Sequence, residues 1–214
     1  RMMHSPKRTM FVSFSFIVRK PQNPRPMVIP IKNRPAKPAA VSAETPLLGL
    51  EPSAILTFRD EYVDLVDEHL ISDAERIAPL AVTIEEFIWE EYLAGNISST
   101  QFTTKEENIL LHGHCQQKAW GLLPTVSKIL TIPVNYKVKD IPSGCCGMAG
   151  SFGYEKEHYE LSMKVGELVL FPAFRGKSEA TLIAAPGSSC RHQIMDGTGI
   201  QSKHPVEILY KALK

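Results

Sequence analysis

Apolar residues from residue 45 onward follow two alternating kinds of pattern. Short apolar runs at 46–50, 108–112, 134–141 and 181–185 predict buried strands. After each run, apolar residues recur at helical spacing. Four repeats of a strand followed by a helix are typical of an open, mostly parallel sheet with right-handed crossovers. The pattern therefore predicts an α/β fold with helices flanking the sheet.

The predicted helices begin at recognisable sequence signals. Ser53 is a suitable N-cap for a helix after the first strand, although a start nearer Pro52 is equally allowed. A continuous helix is predicted over 73–93, where Thr83–Glu86 resembles a capping box. A helix is predicted over 116–130 with a kink or restart at Pro124. The pattern predicts another helix over 156–170, a short helical turn after the fourth strand, and a last helix over 205–213.

The first 43 residues have a different composition from the rest of the chain. They hold nine Lys or Arg, no Asp or Glu, and seven of the 16 prolines. Because they show no sustained periodicity, we predict a basic, disordered leader over 1–43 and one α/β domain over 44–214. The leader is interpreted either as a remnant without a role in the fold or as a targeting or partner-binding arm.

Charge and hydropathy exclude some classes of function. Residues 44–214 carry all 23 acidic side chains and have a net charge of −8, which argues against nucleic-acid binding. The chain has no run of about 18 apolar residues, so we expect no transmembrane segment. Four cysteines, two of them adjacent, do not resemble an extracellular disulfide framework and favour metal or redox chemistry in the cytoplasm.

Each cysteine follows a predicted strand. Cys115 comes three residues after the second strand, Cys145 and Cys146 come four and five residues after the third, and Cys190 comes five residues after the fourth. Since the carboxyl ends of parallel strands meet at one edge of the sheet, where ligands bind in open α/β folds, we expect the four thiols to lie close together.

Four converging thiols suit a zinc ion or an iron–sulfur cluster. The paired C-x2–4-C spacing of most structural zinc sites is absent, and adjacent cysteines fit a cluster with several iron atoms better than one tetrahedral ion. Gly144 and Gly147 give the loop the freedom to turn both thiols inward, and their backbone N–H groups are candidate donors to cluster sulfides. The alternative is that the cysteines are buried apolar side chains without a ligand.

Other residues beside the thiols are candidates for supporting roles. Lys118 and Arg191 are expected to offset the negative charge of a thiolate-bound cluster. His114 is a candidate for cofactor binding, but each nearby histidine, His112 included, is interpreted as a donor to a ligand or a solvated side chain rather than as a metal ligand. The glycine loop lacks a full phosphate-binding fingerprint, and no G-x-S-x-G elbow of a Ser–His–Asp hydrolase occurs, so no catalytic residue is assigned.

Four segments recur in order as in a known family. The chain resembles the cysteine-rich CCG-domain proteins of the heterodisulfide-reductase-like group, and above all the carboxyl-terminal iron–sulfur part of FAD-linked 2-hydroxyacid dehydrogenases. The segments are HGHCQQKA (112–119), SGCCGMAGSFGYE (143–155), GSSCRHQI (187–194) and HPVEIL (204–209), and GLEPSAILTFRDEY (49–62) is also similar. The resemblance covers residues 45–214.

The resemblance implies an electron-transfer module that binds a 4Fe-4S cluster through Cys115, Cys145, Cys146 and Cys190. It implies that FAD is carried by a partner or a missing flavoprotein domain, so the chain is not expected to be catalytic alone. It also implies a cytoplasmic location, with any association with a membrane made through the partner. A zinc-bound or cluster-free α/β scaffold is the alternative.

The chain departs from the family pattern at three points. Position 187 is Gly where the family often has the first cysteine of C-x-x-C, and position 54 is Ala where a cysteine is common. Family members usually have two related halves, whereas this chain corresponds to a single CCG-type half-domain.

Overall fold

A computed structural model describes residues 11–13 and 41–214 of the chain. The predicted leader therefore lies outside the described residues, apart from 11–13 and 41–43. The described residues form two compact units. The first contains the described residues up to Leu50 together with Ala54–Val82, and the second contains Glu51–Ser53 and Thr83–Lys214. The division of the chain into a leader and one domain stays a prediction.

The first unit is built around short strands. The strands β1 (Phe11–Ser13), β2 (Leu47–Gly49) and β3 (Ala81–Thr83) form a sheet in the order β1-β2-β3, with β1 and β2 parallel. The helices along this part of the chain are α1 (Pro52–Ile55), α2 (Glu61–Leu65) and α3 (Ile71–Ile77), with single 3₁₀ turns at Leu56–Arg59, Glu68–Leu70 and Ala78–Leu80.

The second unit has a three-stranded parallel sheet at its centre. The strands β4 (Glu107–Leu111), β5 (Tyr136–Asp140) and β6 (Leu182–Ala184) lie in the order β5-β4-β6. The last residue of β4, Leu111, pairs with Asp140 of β5 and with Ala184 of β6. Because all three strands run in the same direction, the segments that follow them leave from one edge of the sheet.

Helices cover both faces of this sheet. Along β4, Ile109 and Leu111 point into one apolar cluster and Leu110 into another, as strand alternation requires. The first cluster takes its helical side chains from α4 (Ile84–Leu93), α6 (Leu123–Leu130) and α10 (Pro205–Ala212). The second takes them from α7 (Tyr159–Leu168), α8 (Leu170–Arg175) and α9 (Ser188–Thr198). The short helix α5 (Cys115–Ala119) follows β4 directly.

The fold class predicted from the strand and helix pattern is confirmed. The four predicted strands correspond to β2, β4, β5 and β6, and the protein is an α/β fold with parallel sheets and flanking helices. The strand at 46–50, however, joins a separate sheet with β1 and β3 rather than extending the sheet of β4–β6.

The predicted long helix over 73–93 is divided in the structure. It ends at Ile77, and a 3₁₀ turn containing Pro79 and the strand β3 come before α4. Pro79 interrupts the helix since it has no N–H to donate. The capping box is confirmed, because the Thr83 hydroxyl accepts from the Glu86 N–H and the Glu86 carboxylate accepts from the Thr83 N–H. Pro124 does lie in the first turn of a new helix, α6.

Candidate metal centre

Three loops meet at the carboxyl edge of the β4–β6 sheet. The first runs from His112 to His114 between β4 and α5, the second leaves β5 and contains the cysteine pair, and the third connects β6 to α9. Backbone hydrogen bonds hold the first residues of two of these loops against the neighbouring strands. The His112 N–H donates to the Ala184 carbonyl, and the Ile141 N–H donates to the Leu111 carbonyl. Cys146 and Cys190 are thereby brought close together, and the expected grouping of all four thiols stays a prediction.

The four cysteines are free thiols and divide into two exposed and two buried ones. Cys146 and Cys190 are buried, and Cys115 and Cys145 are exposed. Thiol hydrogen bonds connect Cys145 with Cys146 and Cys146 with Cys190. The site thus has an interior part formed by two thiols and a solvent-facing part formed by the other two.

These contacts keep the thiols of Cys145 and Cys146 protonated in the metal-free protein. The hydrogen bond with Cys146, followed by burial, raises the pKa of Cys145. The hydrogen bond with Cys145 lowers the pKa of Cys146, but the hydrogen bond with Cys190 and burial together outweigh it and raise the pKa of Cys146 to about 12. A metal ion must therefore displace protons to bind, as is general for thiolate sites.

His112 lies beside the two buried thiols. A ring nitrogen of His112 and the sulfurs of Cys146 and Cys190 are all within 4.8 Å of one another, and all three residues are buried. The His112 Nδ1 atom is 2.7 Å from the Ser143 Oγ atom. Burial, with a smaller contribution from the Lys118 charge, lowers the pKa of His112 to about 3, so the imidazole is neutral.

Lys118 lies on α5 and contacts the loop that contains the cysteine pair. Its ammonium group donates to the carbonyl of Ser143 and, at 3.0 Å, to the carbonyl of Gly144. Burial lowers the pKa of Lys118, and the nearby cysteines oppose that shift. A positive charge so placed favours the thiolate forms that bind metals.

Backbone N–H groups of the glycine loop face the sulfurs. The Gly147 N–H donates to the Cys145 sulfur at 3.3 Å, and the N–H groups of Ala149 and Met148 interact with Cys145 and Cys146. Gly147, Ala149 and Gly150 all have positive φ angles, and this irregular backbone lets the loop turn its N–H groups toward the two sulfurs. Gly144 has open space around its Cα atom and supplies its carbonyl to Lys118.

His114 occupies the space beside Gly187, where the resemblance described above led us to expect a cysteine. The His114 Nδ1 atom accepts from the Gln116 N–H and caps α5, and it is 4.0 Å from the Cys115 sulfur. A Cβ atom at position 187 would lie 3.2 Å from both the His114 Nε2 atom and the Cys190 sulfur. The His114 ring and a side chain at position 187 therefore compete for the same space next to Cys190.

Arg191 lies on α9, one residue after Cys190. Its guanidinium donates to the carbonyls of Ala185 at 2.9 Å and Pro186 at 2.5 Å. It thus anchors the loop that leads into α9, and its predicted role of balancing cluster charge stays a prediction.

Sequence reasoning did not identify His112 as a member of the thiol group. Its position directly after β4 is visible in the sequence, but its partner Ser143 is 31 residues away, and only the fold brings them together. Glu51 was also missed, and its carboxylate accepts from the Ser188 N–H at the start of α9 at 2.8 Å.

The donor set fits a thiophilic metal centre. The site contains three sulfurs linked by hydrogen bonds, a fourth cysteine near Lys118, and a neutral imidazole. Together with N–H groups that face the sulfurs, these are the kinds of groups that hold iron–sulfur clusters and zinc. Among the residues that the structure describes, His112, Cys146 and Cys190 form the one group of three such donors that converges closely.

Known proteins resemble the chain over most of its length. It is 29% identical over 173 residues to D-2-hydroxyglutarate dehydrogenase of Escherichia coli, a match that covers 79% of this chain and 16% of that protein. It is 26% identical to the Haemophilus influenzae protein of the same name, again over 79% of this chain. It is 26% identical over 173 residues to one subunit of the anaerobic glycerol-3-phosphate dehydrogenase of Escherichia coli, a match that covers 78% of this chain and 40% of that subunit.

These matches confirm the resemblance to one part of larger dehydrogenases that the sequence motifs indicated. The chain spans about a sixth of the length of the first of these relatives. No family model matches the chain. No solved structure matches it significantly. Among the described residues, no helix is both long and apolar enough to cross a lipid bilayer.

Proposed function

We propose that the chain is an iron–sulfur electron-transfer module that works with a flavin-linked dehydrogenase of 2-hydroxy acids. The observation that carries the proposal is the convergence of cysteine-bearing loops from three parallel strands, which brings the sulfurs of Cys146 and Cys190 within 4.8 Å of each other. The relatives support the redox class, since they are dehydrogenases or a dehydrogenase subunit by name.

In this proposal Cys115, Cys145, Cys146 and Cys190 hold a cluster of the 4Fe-4S type. When bound, the cluster supplies a one-electron store. The chain's own residues prepare the site for it. Lys118 offsets thiolate charge, the N–H groups of the glycine loop stabilise the sulfurs, and burial around Cys146 and Cys190 limits access of water.

We place electron exchange at the exposed end of the site, where Cys115 and Cys145 reach solvent. A flavoprotein partner that docks there brings its FAD close to the cluster without having to reach the buried thiols. The substrate is oxidised on that partner, so the isolated chain is not expected to turn over a hydroxy acid. The proposed location is the cytoplasm, with any contact to a membrane made through the partner.

The test is the metal and sulfide content of the full chain after anaerobic purification and reconstitution with iron and sulfide. We expect about four iron atoms and four acid-labile sulfides per chain. Cys146→Ser and Cys190→Ser are expected to lose most of both, while Ser178→Ala, a change at an exposed serine that bonds Thr181, leaves them unchanged. A reconstituted wild-type protein without iron and sulfide would refute the proposal.

A zinc-bound scaffold is the second candidate function. The close grouping of one imidazole and two thiols favours it, because zinc takes nitrogen and sulfur ligands at about 2.0–2.3 Å in a compact tetrahedron. About one zinc per chain without sulfide, after purification in the presence of both metals, would replace the first proposal by the second.

A further inference from the structure

We propose that the imidazole of His112 is itself a metal ligand and forms a mixed nitrogen–sulfur ligand set with Cys146 and Cys190. The inference rests on the proposed function in that it assigns a ligand to the same centre, in place of one of the two exposed thiols. It departs from the sequence motifs, which indicate thiol ligands alone.

The three side chains are close enough to share a metal centre. The donor atoms of His112, Cys146 and Cys190 lie within 4.8 Å of one another. Ligand atoms around a tetrahedral zinc are about 3.4–3.8 Å apart, given bond lengths of about 2.0–2.3 Å. A shift of about 1 Å or less in each side chain therefore brings the three atoms to bonding distance of one metal centre.

A hydrogen bond on the other side of the ring supports this role. The His112 Nδ1 atom is engaged by the Ser143 hydroxyl at 2.7 Å, which leaves Nε2 for a metal. Metal-bound histidines commonly use their second nitrogen in such a hydrogen bond, which fixes the orientation of the ring. Ser143 is itself buried and held through its carbonyl by Lys118, so the support of the ring is preorganised.

The other histidines of the second unit have different tasks. His114 caps α5 and His204 accepts from the Val206 N–H in front of α10. His192 bonds the Tyr154 hydroxyl, and His158 pairs with Glu155 on the exposed surface. His112 alone among these shares a compact group with two thiols.

Metal binding at this set is accompanied by the release of two protons. A divalent ion that binds to this set displaces one proton from the Cys146 thiol and one from the Cys190 thiol to solvent, and the neutral imidazole donates its lone pair without losing a proton. Compared with a third thiolate, the imidazole leaves the centre one unit less negative. His112→Cys is therefore expected to lower the reduction potential of a redox-active centre.

The experiment uses the full chain under exclusion of oxygen, with two readouts. Metal-free protein is titrated with Co²⁺ and followed by sulfur-to-cobalt absorption, and protein labelled with ¹⁵N-histidine is reconstituted, reduced and examined by pulsed EPR for directly bound nitrogen. We expect His112→Ala to weaken Co²⁺ binding at least tenfold and His112→Cys to abolish the nitrogen coupling while iron is retained. His192→Gln, at an exposed histidine, is the matched control and leaves both readouts unchanged.

The outcomes separate this inference from the proposed function. Unchanged Co²⁺ affinity in His112→Ala, or nitrogen coupling that persists in His112→Cys, overturns the inference even when the cluster is present. Co²⁺ binding that depends on His112 in a protein that never takes up sulfide supports the inference and removes the iron–sulfur proposal. If His112→Ala does not fold, Ser143→Ala tests the same geometry, because it removes the partner of Nδ1 and is expected to weaken Co²⁺ binding while retaining the nitrogen coupling.

Discussion

Gly147 determines the shape of the thiol loop through the side chain that it lacks. Its φ angle is +106°, a region that residues with a Cβ atom rarely adopt. A Cβ atom there would lie 2.8 Å from the Gln193 amide nitrogen and 3.0 Å from the Ser162 carbonyl carbon. Gln193 is bound to the Ser162 carbonyl and hydroxyl, both at 3.0 Å, so neither neighbour can move away freely.

Gly147→Ala is therefore expected to lower the free energy of unfolding by about 2–4 kcal/mol through strain and overpacking. It should also reduce metal retention, because the Gly147 N–H donates to Cys145. Urea denaturation of the metal-free protein measures the first effect, and iron analysis measures the second. Gly144→Ala is the matched control, since nothing lies within 4 Å of its Cβ position. Equal stability of the two variants would show that the loop is not constrained at position 147.

A second prediction for a single residue concerns the stability of a variant at position 187. Gly187→Cys restores the C-x-x-C spacing, but its side chain meets the buried His114 ring. We expect this variant alone to lose about 1–3 kcal/mol of stability, and we expect His114→Ala to relieve part of that loss when the two changes are combined. A double-mutant cycle measures the coupling, and strictly additive effects would contradict the competition for space.

At the scale of elements, buried polar side chains connect three helices of the second unit. Glu85 in the first turn of α4 is 1% exposed, and its carboxylate receives the Gln117 amide of α5 at 3.4 Å. The His204 ring, at the N-cap of α10, lies 3.5 Å from the other carboxylate oxygen. The Gln117 carbonyl oxygen is buried without a hydrogen-bond partner.

Burial raises the pKa of Glu85 from 4.5 to about 7, with the Thr83 hydroxyl opposing the shift. The folded protein therefore holds a proton that the unfolded chain has already released between these two pH values. Stability from this group is fully present below pH 4.5 and is lost as the pH rises to about 7. The loss amounts to about 3 kcal/mol by the linkage relation.

Glu85→Gln is expected to remove this pH dependence. Above pH 7 the variant should be more stable than the wild type by up to about 3 kcal/mol, because it carries no buried charge and adds a donor near the Gln117 oxygen. Urea unfolding at pH 5 and pH 8 measures the difference between the two proteins. Glu90→Gln, at an exposed position of α4, should retain the wild-type slope; an equal slope in Glu85→Gln would contradict the prediction.

The elements that the sequence predicted well are those whose signals are local. Strand runs, the Thr83–Glu86 capping box and the restart at Pro124 depend on neighbouring residues, and all are present. The division of the predicted helix at Pro79 was missed because the apolar spacing continues across it. The partner of His112 and the space shared by His114 and Gly187 are contacts between distant segments, for which a single sequence contains no local signal.

At the scale of the whole molecule, the proposed ligands all belong to the second unit. Metal that binds only the folded state adds to the stability of that unit by mass action. We therefore expect chelation under anaerobic conditions to lower the melting temperature, measured by circular dichroism. Cys190→Ser should melt near the temperature of the chelated wild type and should show no further change on chelation. A melting temperature that is independent of metal would indicate that the thiols contribute to packing alone.

The loops that hold His112, Cys146 and Cys190 are brought together by the sheet although they lie dozens of residues apart in the sequence. A metal ion bonded to all three donors acts as a reversible cross-link that closes two large loops of the chain at once. The entropic cost of closing a loop grows with its length, although slowly, so donors this far apart need the folded sheet to hold the loops closed before a metal can bind all three. Loss of the metal thus removes this cross-link as well as a set of bonds. After proteolytic cleavage between β5 and α9, we expect the two fragments to separate more readily without the metal than with it.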